Sequence, residues 1–263
     1  MRRRGSYRLE EWRGENNIDG LNNQRVYGRG GRKLYRLRNY HLIGYGRARK
    51  RYGYQKYVNT QVSDNNPIQG LAMYEFGSTR KLIACANGQI RELGEAAGTW
   101  TDRTGSLSLT GGQNVLYRFA YFNDGTNRYL LGVNGTDAPW AYRDGTNAVT
   151  LESLSTGTMP TTIRGLLEFH GHLLALTDDE LFYTAYGTFD WLNGGIVQTS
   201  ADSLGVGLGQ HSRDVALLFF DRQVYRLEFN PLEGSTWRAL PVEGSEGCIA
   251  KTSIGTKDGH TYY

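Results

Sequence analysis

Pairs of adjacent large apolar residues recur along this 263-residue chain in the same local setting. The four pairs are Leu82-Ile83, Leu130-Leu131, Leu173-Leu174 and Leu217-Leu218. Their first members are 48, 43 and 44 residues apart. A short polar turn and then a second apolar or aromatic run follow each pair, which is the pattern of a β-hairpin. A repeat of this length predicts stacked structural units.

Each repeat has room for four strands. Further candidate strands precede the first three pairs, at 71–74, 116–121 and 165–169, and the regions 100–107 and 148–154 can hold a fourth strand. Four strands in about 45 residues is the size of a propeller blade. The sequence therefore predicts an all-β protein, a β-propeller of about four blades and part of a fifth with an extended basic N-terminal arm.

The fifth repeat begins close to the last residue. Tyr262-Tyr263 stands where the next pair is expected, after the turn Lys257-Asp258-Gly259. Two interpretations are open. We favour a fragment, in which the propeller is incomplete at its C-terminus; alternatively, the arm or another subunit completes the ring.

The composition agrees with many short strands joined by tight turns. The chain has 35 glycines and 18 tyrosines but only 5 prolines, and aromatic residues favour strands. Cys85 and Cys248 are too few for a disulfide framework and are expected to be buried. No apolar run approaches membrane-spanning length, so no membrane partner is expected.

Charge divides the chain near residue 57. Residues 1–57 hold 16 Lys/Arg and 4 acidic residues, whereas residues 58–263 hold 14 and 22. The predicted domains are a basic N-terminal arm over 1–57 and the propeller over 58–263. Such a basic segment predicts contact with a polyanion or an acidic neighbour.

Cations, tyrosines and glycines are interleaved in the stretches 27–33 and 46–54. Arginine and lysine neutralise phosphates, and tyrosines can stack on bases. The candidate contact residues are Arg29, Arg32, Lys33, Arg47, Arg49, Lys50 and Arg51. The residue types leave a nucleic acid and an acidic protein surface equally open as partners.

The remaining polar motifs favour turns over chemistry. The Asp-Gly segments 123–127 and 143–147 offer too few oxygen ligands for calcium and suit hairpin turns. His170-Gly171-His172 lacks a third metal ligand. The carboxylates at 178–180 and at Asp202 and Asp214 assemble into no recognisable site. No catalytic residue, metal or cofactor is predicted, and the protein is not expected to be an enzyme.

Three stretches resemble the propeller-bearing nozzle or hub proteins of bacteriophage tails and necks. Residues 37–54 look like the family's opening strand and basic turn, although Tyr52 stands where proline is often found. Residues 167–192 resemble the central blade, with Phe189-Asp190-Trp191 after a hairpin. Residues 247–259 resemble a Gly-Cys-x-Ala-x-x-Ser-Ile strand and its turn.

The resemblance implies a structural virion protein of the tail or neck, assembled in the host cytoplasm. Its ring would connect head and tail and line the channel of DNA ejection. The implied partners are further copies in a homo-oligomeric ring, the portal or connector protein, other tail proteins and packaged DNA. One alternative is a carbohydrate-binding or carbohydrate-cleaving propeller of a receptor-recognition apparatus, and another is an Arg/Gly-rich RNA-binding module.

Overall fold

The computed structural model describes residues 40–44, 47–50, 60–62, 67–94, 98–112, 114–199, 203–230, 236–249, 254–257 and 260–262. The chain divides into two compact units, residues 1–57 and 58–263. In the first unit, strands β1 (Tyr40–Gly44) and β2 (Arg47–Lys50) form an antiparallel hairpin. The second unit, called the body below, carries all the remaining strands.

Four antiparallel sheets follow one another along the body, and each consists of four consecutive strands. The first blade contains β3 (Ile68–Phe76), β4 (Thr79–Ala86), β5 (Gln89–Gly94) and β6 (Trp100–Asp102). The second contains β7 (Arg118–Asn123), β8 (Arg128–Val133), β9 (Trp140–Tyr142) and β10 (Val149–Thr150). The third contains β11 (Gly165–Phe169), β12 (His172–Leu176), β13 (Glu180–Tyr183) and β14 (Gly195–Gln198).

The fourth blade contains β15 (Gly205–Gln210), β16 (Val215–Phe220), β17 (Val224–Asn230) and β18 (Thr236–Pro241). A hairpin of β19 (Gly255–Lys257) and β20 (His260–Tyr262) follows it. Since successive four-stranded meanders pack face to face, the structure confirms the predicted all-β propeller with about four blades and part of a fifth. The described part of the chain contains no helix that is long and apolar enough to cross a membrane.

The second strand of each blade explains the recurring apolar pairs. Leu130 packs in the core shared with the first blade, whereas Leu131 packs in the core shared with the third. Leu173 and Leu174 divide in the same way between the second and fourth blades. Because successive side chains of a strand point to opposite faces, a strand buried on both faces needs adjacent apolar residues.

The blades are held together by cores that lie between them. The first and second blades bury Tyr74, Ile83, Leu130, Trp140 and Tyr142 in one cluster. The second and third blades bury Phe122, Leu131, Leu166, Phe189 and Trp191, and the third and fourth bury Phe169, Leu174, Leu218, Phe220 and Tyr225. Neighbouring blades therefore stabilise one another through these shared cores.

Several elements differ from the sequence prediction. The strand expected over 148–154 is only two residues long, and a 3₁₀ helix, Leu151–Leu154, follows it. Strands β14, β15 and β18 have no matching apolar run in the sequence prediction. The strand suggested by the phage resemblance is wrong at 247–249. Gly247 has a φ of 75° there, and the Cys248 N–H donates to the carbonyl of Phe220 rather than to a sheet partner.

Candidate functional site

One end of the body carries the turns between the second and third strands of each blade together with the segments that link one blade to the next. This surface is called the linker face. On it, Asp137 of the second blade accepts hydrogen bonds from the Thr110 N–H and Oγ1, at 2.8 and 2.6 Å. Asn134 Nδ2 donates to the same carboxylate at 2.8 Å. Asp137 thus fixes the linker between the first two blades.

The next two blades use an aspartate in the same place. Asp178 accepts from Arg164 Nε at 2.7 Å and from Nη2 at 3.2 Å, and the Arg164 Nη1 also donates to the carbonyl of Gly135. Asp221 accepts from the Leu204 N–H at 2.9 Å. These acids hold the linker that precedes their own blade, so their charge serves the joint between neighbouring blades.

An amide on the first strand of the first blade holds the linker that follows that blade, the same linker that Asp137 holds. Gln69 is buried, and its Nε2 donates to the carbonyls of Gly112 at 2.9 Å and of Val115 at 3.0 Å. Its Oε1 accepts from the Gly88 N–H at 3.1 Å. The side chain therefore satisfies backbone groups of both the turn and the following linker.

The pKa values of three carboxyl groups of the body lie below their ordinary values, which favours the ionised form. Burial raises the pKa of Asp137, but the hydrogen bonds from Thr110, Asn134 and Tyr117 outweigh it, so the pKa lies below its ordinary value. The same balance lowers the pKa of Glu92 and Asp124. General-acid catalysis needs a carboxyl group with a raised pKa. These groups instead fit a structural role.

Two of the grooves in the described part of the body are lined by polar or aromatic side chains. A groove of about 670 Å³ on the linker face is lined by Asp178, Asp179, Glu180, Asp221 and Arg222 together with threonines. Another, of about 620 Å³, is lined by residues of the second and third blades, among them Tyr121, Arg128 and Tyr186. The residues of the second groove lie in separate repeats, so no local sequence motif marks it.

The histidine pair occupies a hairpin turn. His170 has a φ of 51° in the turn between β11 and β12, and His172 begins β12. The His172 Nδ1 lies 2.7 Å from the carbonyl of Thr184, and its ring packs against Trp237 with 5.4 Å between the ring centroids. Among the described residues, no group of three His, Cys, Asp or Glu side chains could hold a metal ion.

The structure does not describe the side chains of the predicted contact residues. Arg29, Arg32, Lys33 and Arg51 lie outside the described residues, whereas Arg47, Arg49 and Lys50 belong to β2, of which only the backbone is described. Asp202 also lies outside the described residues. Asp214 is at the β15–β16 turn, 3.7 Å from the His170 Nε2.

Apolar side chains remain exposed on the first blade. Leu71 and Met73 are 54% and 42% exposed on β3, and Leu82, the register partner of Met73 on β4, is only partly buried. Ala72 and Tyr74, which alternate with Leu71 and Met73 along β3, point the other way into the core shared with the second blade. Leu71, Met73 and Leu82 are called the far-face strip below.

No protein-family profile matches the chain, and no curated protein matches it. Solved structures similar to it include Raptor of Chaetomium thermophilum, at 8% identity and a TM-score of 0.43, over 74% of this chain and 18% of that one. Hsv2 of Kluyveromyces lactis has 10% identity and a TM-score of 0.34, over 70% and 75%. YCF48 of Cyanidioschyzon merolae has 13% identity and a TM-score of 0.34, over 69% and 74%.

These structures correct the resemblance drawn from the sequence. They are propeller proteins unrelated to bacteriophage tails, so the identification with nozzle or hub proteins is wrong. Within residues 167–192, the matched pattern corresponds to the β11–β12 hairpin, a feature that any propeller can contain. The chain spans less than a fifth of the length of the Raptor structure.

Proposed function

We propose that the protein is a non-enzymatic structural protein that self-associates into a closed homo-oligomer. The far-face strip carries this proposal. In the second, third and fourth blades, the face turned toward the preceding blade is buried, with Tyr117, Leu166 and Leu218 in the cores. On the corresponding face of the first blade, Leu71 and Met73 are exposed. Exposed apolar surface of this kind favours association with another protein surface.

The acids of the linker face support the same proposal. Asp137, Asp178 and Asp221 are engaged with linkers and are not free to act on a substrate. A rigid body with its polar groups engaged internally suits a scaffold. Oligomerisation would bring several basic N-terminal segments together, which multiplies their positive field.

Replacing Leu71 and Met73 together with asparagine is expected to dissociate the oligomer. The change removes apolar area from the strip without touching a core between blades. Sedimentation velocity or light scattering over a range of concentrations measures the mass. Leu192 and Ile196, also exposed and apolar but on the third blade, provide the matched control pair. Equal mass for Leu71→Asn/Met73→Asn and the unchanged protein, or a monomer at every concentration, would contradict the proposal.

The basic segment is proposed to bind single-stranded nucleic acid. Its interleaved tyrosines suit base stacking, a contact that an acidic protein surface does not offer. Replacing Arg47, Arg49, Lys50 and Arg51 with glutamine in the full chain should weaken oligonucleotide binding. The slope of log K against log salt should fall by roughly 0.7 for each lost phosphate contact.

The control for this experiment replaces four exposed arginines of the body. They are Arg143, Arg213, Arg222 and Arg238. This variant has the same net charge as the first and should bind as the unchanged protein does. Fluorescence anisotropy with an oligonucleotide and with polyglutamate separates the partners. An affinity for polyglutamate equal to the affinity for the oligonucleotide would contradict the nucleic-acid assignment and favour an acidic protein surface as the partner.

A further inference from the structure

The side chain of Arg118 reaches across the centre of the body. Arg118 begins β7, the first strand of the second blade, and its Nη1 donates to the carbonyl of Val206 at 2.6 Å. Val206 lies on β15, the first strand of the fourth blade. The first strand of the third blade, β11, contacts both β7 and β15. Arg118 thus links two blades that are not neighbours, where three first strands converge.

Glycine makes room for this crossing. A Cβ added at Gly207 would lie 1.6 Å from the Arg118 Nη1, so any other residue at this position would displace the guanidinium. A Cβ at Gly165, on β11, would lie 3.2 Å from the Gly207 Cα. The glycines therefore bring the backbones close together and leave the guanidinium between them.

The charge of Arg118 has no counterion among the described residues. Its Nη2 is buried and makes no hydrogen bond, and its one described partner is the neutral carbonyl of Val206. Burial lowers the pKa of Arg118 because the charged form loses hydration that no carboxylate replaces. A buried cation without a partner is costly. The fold stabilises Arg118 in this position through packing and leaves donors of the guanidinium unused.

We propose that Arg118 binds a small oxyanion, a phosphate or a carboxylate, at the centre of the body. The guanidinium is planar, and two of its N–H groups can donate in parallel to two oxygens of such an ion. Arg118 as a whole residue is only partly buried, but its Nη2 is enclosed, so an anion that binds there displaces the groups that cover this donor. The site goes beyond the proposed assembly role, because it lies within a single chain and uses neither the far-face strip nor the basic segment.

Thermal unfolding of the full chain in phosphate or acetate, with sodium chloride holding the ionic strength constant, tests the site. The midpoint should rise with anion concentration, as expected for a ligand that binds only the folded state. In Arg118→Met, the apparent Kd for the anion should increase at least about tenfold, because charge-assisted hydrogen bonds are lost. Comparison of the phosphate and acetate series shows which oxyanion the site prefers.

Arg143→Met is the matched control, since Arg143 is exposed and lies on the same blade. It should keep the full response to phosphate. Arg118→Lys provides a second variant if Arg118→Met does not fold. It retains the positive charge but lacks the planar guanidinium with its parallel N–H donors, so it should bind the anion more weakly. The proposal is overturned if neither anion shifts the unfolding midpoint of the unchanged protein. It is also overturned if the unchanged protein, Arg118→Met and Arg118→Lys show the same shift.

Discussion

Replacing Glu92 with glutamine is expected to lower the free energy of unfolding by about 3–5 kcal/mol. Glu92 is 4% exposed, and its carboxylate accepts from Lys81 Nζ at 2.7 Å, Arg103 Nε at 2.6 Å and the Tyr142 hydroxyl at 2.7 Å. Tyr142 belongs to the second blade, so the cluster joins two blades. The amide removes the negative charge and presents an NH₂ group to one of the cations. Arg103 then lacks its hydrogen-bonded carboxylate, and Lys81 retains only Asp144 at 2.9 Å.

Urea unfolding followed by circular dichroism measures this loss. Glu75→Gln is the matched control, because Glu75 is paired with Arg80 at 3.5 Å in the same blade but is half exposed. An exposed pair contributes about 0–1 kcal/mol. Similar losses in the two variants would show that burial of the Glu92 cluster has no energetic consequence.

The same cluster predicts a dependence of stability on pH. Burial raises the pKa of Glu92, but the hydrogen bonds from Arg103, Lys81 and Tyr142 outweigh it and lower the pKa below its ordinary value. A lowered folded-state pKa contributes stability that is fully present above the unfolded value of about 4.3 and is lost as the pH falls through the folded value. When the pH is lowered below about 4, the free energy of unfolding should therefore decrease less for Glu92→Gln than for the unchanged protein.

The second and third blades could be predicted from the sequence because their second strands are buried on both sides. Leu130-Leu131 and Leu173-Leu174 are adjacent apolar residues for that reason, and the turns after them contain residues suited to tight turns. Asn87 and Gly88, with φ values of 50° and 70°, form one such turn. These features are local, so they are visible without knowledge of the neighbouring blades.

The centre of the body could not be predicted in this way. Strand β15 reads Gly-Val-Gly-Leu-Gly-Gln, a glycine-rich sequence of low strand propensity. Its glycines are required because Gly207 lies beside Arg118 and Gly165, residues 89 and 42 positions away. Contacts over such separations leave no periodic trace in one sequence. The candidate anion site at Arg118 was missed for the same reason.

The far-face strip was also outside the reach of pattern analysis. Leu71 and Met73 alternate with Ala72 and Tyr74, and apolar residues on both faces of β3 predict burial on both sides. The structure buries only the side that carries Tyr74. Which face of an apolar strand stays exposed depends on the arrangement of the blades.

Substitution of Trp140 with alanine is expected to cost about 3–5 kcal/mol of unfolding free energy. Trp140 is completely buried between the first and second blades, where Phe119 and Tyr117 pack on it with centroid distances of 6.1 and 6.2 Å. The opposite strand accommodates the ring with Gly132, its register partner. A Cβ at Gly132 would lie 2.2 Å from the Trp140 Cε2.

This contact predicts that the two positions are strongly coupled. Gly132→Ala alone should cost about 1–3 kcal/mol, because the indole has to move within a packed core. In the Trp140→Ala background the clash is absent, so the same Gly132→Ala change should be nearly neutral or stabilising and the double variant more stable than additivity predicts. A four-member cycle of urea unfolding curves followed by circular dichroism measures the coupling. Simple additivity would mean that the glycine in β8 does not serve the tryptophan, and that the core between these blades is packed differently.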